Sequence, residues 1–370
     1  MIRPLIIFGT RPEAVKMAPV VLEARKRRQT IEPVVCLTGQ HREMLDQVVR
    51  YFQIDANIDL HLMQPNQTLA SLTSRCLAEL DRVIAETSPD FVLAQGDTTT
   101  VLSASLAAFY RKIPFVHVEA GLRSGDILSP WPEEMNRRVA GIVTSRHCAP
   151  TQRAVNALRA EGHDPESIRL TGNTVIDALM HSVQRERANP TRWEEKHPYL
   201  RDKPMVLITA HRRESFGRGF ENLCTALREL ALAFPGHEFL YPVHLNPNVR
   251  EPVHRMLGSV KNFRLIEPAA YPEFVWLMDR STIILSDSGG VQEEAPSLGK
   301  PVLVLRDTTE RPEAVEMGAT RLVGTDVRLI VENASRLLTD PAFYESFLGK
   351  TNPYGDGTAA KKILDWLEEA

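Results

Sequence analysis

The sequence predicts two doubly wound α/β domains, and three observations carry that prediction. Short apolar runs rich in valine and isoleucine recur along the chain. Amphipathic stretches such as Leu69–Ser88 and Gly219–Phe234 lie between them. A polar segment with few apolar anchors, Gln184–Pro204, separates two halves that each begin again with a strand. Runs of this kind read as strands buried on both faces of a parallel sheet. Their alternation with helices throughout gives the doubly wound class. A chain of 370 residues is also too long for one small core.

In chain order the expected strands are PLIIF, PVVCL, DFVLAQGD and PFVHVEAG in the first half. MVLITAHR, EFLYPVHLN, FRLIEPA, TIILSDSGG and KPVLVLRD follow in the second. The first domain is placed at 1–169 and the second at 170–354. The final stretch, GTAAKKILDWLEEA, reads as an amphipathic helix over about 355–370 that packs back on the first domain.

Composition excludes several function classes. The net charge of −3 gives no basic field for nucleic acid. The densest basic run, Arg25–Arg28, suits the solvated end of a first helix, where cations meet the helix dipole. Four scattered cysteines form no CxxC pair and fit a reduced compartment. The N-terminal apolar run of about five residues is short for a signal peptide, and no stretch approaches the ~20 residues of a membrane span. A cytoplasmic enzyme without a membrane segment is expected. No His/Cys/Asp cluster has metal-ligand spacing, so no metal is expected.

Doubly wound sheets bind ligands beyond the carboxyl ends of their strands. The polar motifs of this chain fall at those ends: GTRPE, GDTTT, HVEAGLR, AHRRESFG and SDSGGVQEEA. Two such domains facing each other would line one cleft with all of them. In SDSGGVQEEA, Gly289 and Gly290 open a helix, and its backbone N–H groups suit a phosphate. Ser288 adds a hydroxyl, and Glu294 can grip a diol such as ribose. The same residues also fit an ordinary glycine turn with a serine cap. GxGxxG and Walker A patterns are both absent, which argues against a dinucleotide redox cofactor and a P-loop ATPase.

The pentapeptide RPEAV occurs twice, at Arg11–Val15 and Arg311–Val315. Each copy sets an arginine ahead of a proline that suits a first helical turn. Arg11 and Arg311 can therefore serve as diphosphate cations from opposite domains, with Lys16 on the helix after the first copy. They can equally be surface residues paired with Glu13 and Glu313.

Taken together, GTRPEAVKMAP, GDTTT, HVEAGLR, SPWPEEMNRR, TGNTVIDA, AHRRESFG, PVHLNPNVREPV, SDSGGVQEEAPSLGKPVLVLRDTTERPEAV and NPYGDG resemble the bacterial non-hydrolysing UDP-N-acetylglucosamine 2-epimerase family. The likeness is collinear and runs from the first strand to NPYGDG. It implies a GT-B fold of two Rossmann-like domains with the nucleotide sugar between them. It also implies reversible conversion of UDP-GlcNAc to UDP-ManNAc without a cofactor, a homodimer, and a product used for surface polysaccharides.

The chemistry makes residue demands of its own. The C2–H of a pyranoside has no neighbouring carbonyl to acidify it. Expelling UDP from C1 acidifies C2–H, and loss of that proton leaves a glycal. Reprotonation from the other face and return of UDP complete the inversion. This route needs phosphate cations and carboxylates that exchange protons. The resemblance assigns Asp97, Glu119 and Glu133 to that acid–base set and His211 to the leaving diphosphate. It assigns Arg11, Lys16, Arg137, Ser288, Gly289, Gly290, Glu294 and Arg311 to substrate and UDP, and Phe274 to the uracil pocket. Ala269 stands where some relatives carry glutamine. Gln40, His41 and His244 are assigned to a second, activating UDP-GlcNAc site. His117, on an apolar strand, reads as a core histidine.

Overall fold

The computed structural model describes residues 1–39, 42–62, 64 and 67–369. They form two compact units: Met1–Ala178 with Tyr354–Ala370, and Leu179–Pro353.

The first unit is built on seven strands: β1 (Pro4–Phe8), β2 (Val34–Leu37), β3 (Ile58–Asp59), β4 (Phe91–Gln95), β5 (Phe115–Val118), β6 (Arg146–Ala149) and β7 (Ile168–Leu170). They pair in parallel in the order β3-β2-β1-β4-β5-β6-β7. Every residue of β1, β4 and β5 is buried, as a sheet covered on both faces requires. Leu5 and Ile7 pack with Val92, Ala94, Leu80 and Val83 in one core cluster.

The second unit repeats the plan with β8 (Met205–Thr209), β9 (Glu238–Pro242), β10 (Phe263–Ile266), β11 (Ile283–Ser286), β12 (Val302–Val304) and β13 (Thr320–Leu322). Their order is β10-β9-β8-β11-β12-β13, again all parallel. In both units the first strand lies beside the fourth, and the chain winds away from that pair in opposite directions. The loops after β1 and β4, and those after β8 and β11, thus flank a topological switch point, where open α/β sheets take their ligands.

Nine of these strands are the apolar runs expected from sequence; β3, β6, β7 and β13 are additional. β3 has two residues, and β7 and β13 are three-residue edge strands that need no continuous apolar run. β6 reads Arg-His-Cys-Ala. Its Arg146 is accommodated over the rings of Phe91 and Trp366, 4.9 and 5.4 Å from their centroids.

The division between the units falls within the helix Thr174–Ala188, later than the boundary expected at 169/170. The start of this helix is tied to the first unit. Asn173 donates its backbone N–H to the Tyr354 carbonyl at 2.6 Å, and Asp177 accepts the N–H groups of Ala359 and Ala360 at 3.1 and 2.8 Å. From Leu179 onward the apolar face enters another core, where Leu179 and Val183 pack with Met205, Leu207 and Val275.

The helix Ala359–Glu368 buries Ile363, Leu364 and Leu367. It lies on the helix Arg11–Lys26, and Arg27 beyond that helix reaches Asp365 and Glu368 at 2.8 and 2.7 Å. All four cysteines are buried and free, and burial pushes each thiol up to about 12. Among the described residues no helix is long and apolar enough to cross a membrane.

Leu364 is fully buried, so Leu364→Ala should cost the first unit about 2–5 kcal/mol. Scanning calorimetry should show this as an earlier melting transition. An unchanged melt would mean that the C-terminal helix does not anchor the unit.

Candidate active-site residues

In the first unit the site grows from the ends of β1, β4 and β5. After β1 the chain turns through Gly9, where an added Cβ would stand 1.8 Å from the Thr38 hydroxyl, so only glycine fits. Thr10 then caps the helix Arg11–Lys26, with Pro12 in its first turn. Glu13 completes a capping box: its Oε2 accepts the N–H groups of Gly9 and Thr10 at 2.8 and 2.7 Å. Its Oε1 accepts the Thr98 hydroxyl from the loop after β4. Burial raises the pKa of this carboxyl.

Lys16 lies on the same helix. Its Nζ meets both carboxylate oxygens of Glu119, just after β5, at 2.6 and 2.8 Å. Glu119 also accepts from Asn173 Nδ2 at 2.8 Å and from the Gln95 amide. Its backbone has φ +64°, the left-handed region that side-chain-bearing residues rarely occupy. Strain of this kind, of order 1–3 kcal/mol, is often held at functional positions.

Asp97, after β4, accepts from Arg137 on the helix Glu133–Val143, and Asn136 Nδ2 donates to the Asp97 carbonyl at 2.9 Å. Burial is the largest influence on Asp97 and raises its pKa. Arg137 and Lys16 oppose that rise, and the neighbouring Glu119 charge reinforces it. The structure therefore joins Asp97, Glu119, Lys16 and Arg137 in one cluster of two carboxylates and two cations. Glu133 opens the helix one turn before Arg137, on the same side. Neither Glu133 nor the exposed Arg11 has an ion pair among the described residues. The fully buried Glu134 braces Arg137 and Arg138 at 3.3 and 2.9 Å.

In the second unit the loops after β8 and β11 are clasped together. Thr209 and Ser286 share a hydroxyl hydrogen bond of 2.6 Å, and the Asp287 N–H donates to the Thr209 carbonyl at 3.0 Å. Asp287 Oδ2 accepts the backbone N–H groups of His211 and Arg212 at 2.6 and 2.7 Å. The His211 ring lies against that of His244, with centroids 5.4 Å apart and planes 10° apart. Gln40 and His41, expected beside His244 in an activating site, lie outside the described residues.

Ser288 precedes the short helix Gly289–Glu294. A Cβ on Gly289 would come within 3.7 Å of the Arg311 guanidinium carbon and 3.9 Å of Arg212 Nη2, so two guanidiniums border this glycine. A Cβ on Gly290 would meet Glu294 Oε2 at 3.6 Å and Ser288 Oγ at 3.9 Å. Ser288, Gly289, Gly290, Glu294 and Arg311 thus share one neighbourhood. Arg311 is oriented by Glu293 through its Nε and by Thr309, whose Oγ1 accepts the Arg311 N–H at 3.0 Å. Buried Arg306 ties this loop to the one after His211. It reaches Glu214 at 2.5 Å and Glu310 at 2.6 Å, and the Glu310 carboxyl falls to about 2. Phe274, on the helix Tyr271–Arg280, packs with Ala269 against the core that holds Val275 and Trp276.

The two RPEAV copies do different work. Glu13 of the first is spent on backbone N–H groups. In the second, Arg311 is itself the cap residue, and Glu293 from another helix is its partner. Sequence reasoning passed over Glu13, Gln95, Asn173, Arg212, Asp287 and Glu293. All six stood inside quoted stretches, and Glu13 was read only as a surface partner of Arg11. Their partners are contacts that only the fold provides.

Residues 23–368 match the family described as UDP-N-acetylglucosamine 2-epimerase. A protein of that name from Escherichia coli O157:H7 is 54% identical over 368 residues, covering 98% of both chains. The crystal structure of UDP-GlcNAc 2-epimerase from Neisseria meningitidis, bound to UDP-GlcNAc, is 50% identical over the full length of both chains with a TM-score of 0.91. An S. aureus structure with UDP is 44% identical, covers 100% of this chain and 96% of its own, and has a TM-score of 0.86. Two Rossmann-like domains in GT-B form, the clustered carboxylates and this likeness along the whole sequence agree: the chain belongs to the UDP-N-acetylglucosamine 2-epimerase family.

Proposed function

We propose that this protein interconverts UDP-N-acetylglucosamine and UDP-N-acetylmannosamine by eliminating and re-adding UDP. The observation that carries the reading is the paired cluster at the ends of β4 and β5, Asp97 with Arg137 and Glu119 with Lys16. Two carboxylates held close by two cations can exchange a proton with carbon while remaining in reach of an anionic substrate. A carboxylate takes the C2 proton. The C2–H electron pair becomes the C1–C2 double bond, and UDP leaves with the C1–O pair. The reverse sequence, with the proton delivered to the opposite face, gives the epimer.

Asp97, Glu119 and Glu133 form the acid–base set in this scheme. Burial of Asp97 favours its protonated form, which suits it to giving a proton. Arg11, Lys16 and Arg137 offset substrate charge from the first unit. In the second unit Ser288, Gly289, Gly290 and Arg311 receive the diphosphate, Glu294 the ribose and Phe274 the uracil. His211 stabilises the leaving diphosphate. Arg212, beside Gly289, adds a cation to this set. His244, with Gln40 and His41, contributes to an activating site for a second UDP-GlcNAc.

Incubating the protein with UDP-GlcNAc in D2O and following proton NMR tests the reaction. UDP-ManNAc carrying deuterium at C2 is expected. Free ManNAc would indicate hydrolysis, and no C2 exchange would sink the epimerase reading.

The amide variants Asp97→Asn, Glu119→Gln and Glu133→Gln should each lower turnover about 10²–10⁴-fold while UDP still binds. Wild-type turnover in all three would remove the carboxylates from the chemistry.

Arg311→Ala should weaken UDP binding roughly ten-fold or more, as expected when a charge-assisted phosphate contact is lost. Arg11→Ala should lower turnover more than UDP affinity. Calorimetric titrations and steady-state rates separate the two, and parental values for both would make the arginines bystanders.

A further inference from the structure

His211 and Asp287 form a pair that the scheme above uses only halfway. Asp287 is 1% exposed. One carboxylate oxygen, Oδ2, is occupied by the backbone N–H groups of His211 and Arg212. The other, Oδ1, is buried and makes no hydrogen bond among the described residues. It faces His211 Nδ1 at 3.4 Å. A buried carboxylate oxygen is stabilised by a donor, and the group opposite this one is a ring nitrogen that can carry a hydrogen. The His211 side chain is 41% exposed.

We propose that Asp287 is a positioning residue that holds the His211 proton on Nδ1, so that His211 meets a diphosphate only as the doubly protonated imidazolium. The reason is donor arithmetic. A neutral imidazole has one N–H. If Asp287 holds it at Nδ1, Nε2 presents a lone pair, which repels a phosphate oxygen. Both partners are satisfied when Nε2 takes a proton from solvent. UDP binding and proton uptake at Nε2 are then one event.

The charged and titratable groups around the ring favour this order. Burial is the largest influence and lowers the His211 pKa. Asp287 opposes that, while His244, stacked on the ring, and Arg212 lower it further. The balance favours a neutral ring in the free protein, and the anion draws the proton in.

This inference rests on the placement of His211 at the diphosphate, and the experiments separate the two. Calorimetric titration of UDP near pH 7.5, in buffers of contrasting ionisation enthalpy, should show proton uptake. Uptake should vanish in His211→Asn and fall sharply in Asp287→Asn, whose amide would offer Nδ1 a hydrogen and force the other tautomer. Asp287→Asn should add little further loss of UDP affinity in a His211→Asn background. Parental proton uptake in Asp287→Asn, or an equal loss of affinity in both backgrounds, would make Asp287 a structural clasp and overturn the proposal. Should Asp287→Asn fail to fold, 15N NMR of histidine-labelled parent protein decides. An Nδ1–H tautomer at His211, assigned by its loss in His211→Asn, is expected, and an Nε2–H tautomer overturns the proposal. Parental turnover in His211→Asn would instead remove His211 from the diphosphate.

Discussion

Two successive backbone N–H groups at the end of the first strand of each unit must find acceptors, and the sites depend on how this is met. The chain leaves the sheet there, so the next strand cannot supply the partners. In the first unit Glu13 Oε2 takes the N–H groups of Gly9 and Thr10. In the second, Asp287 Oδ2 takes those of His211 and Arg212. Each solution is one buried carboxylate oxygen, and each joins the loop to the one that follows the neighbouring strand. Glu13 does so through the Thr98 hydroxyl; Asp287 belongs to that neighbouring loop. The groups proposed to meet a ligand, Arg11 and Lys16 in one unit and His211 and Arg212 in the other, stand on backbones fixed this way.

Once the loops are set, charge organises the rest. Lys16 and Arg137 each hold one carboxylate, and the burial that raises Asp97 is partly offset by both. The proton exchange proposed for Asp97 needs this balance, because full neutralisation would lock its charge and full isolation would lock its proton. In the second unit the balance is between guanidiniums and Glu293, which orients Arg311 beside Gly289.

Much of this was legible in the sequence. Strands buried on both faces carry uninterrupted apolar runs, and strand ends at a switch point carry glycine and polar motifs, so both can be read without coordinates. GDTTT, HVEAG and SDSGG stand where such reading places a site. Short edge strands were not legible, since β3, β7 and β13 are too brief to show a pattern. Nor were residues whose meaning arises from distant partners. Asn173 becomes informative only when the fold brings it to Glu119, 54 positions earlier. The helix Thr174–Ala188 hid the division between units for a similar reason. One continuous helical pattern serves two cores, and periodicity reports the helix rather than what each turn packs against.

The four cysteines have a practical consequence. With each thiol buried and pushed up to about 12, the thiolate, which is the reacting species, is scarce at neutral pH. The native chain is therefore a quiet background for maleimide chemistry. A single cysteine placed on an exposed turn would take up a fluorophore or spin label first, without prior removal of the natural ones.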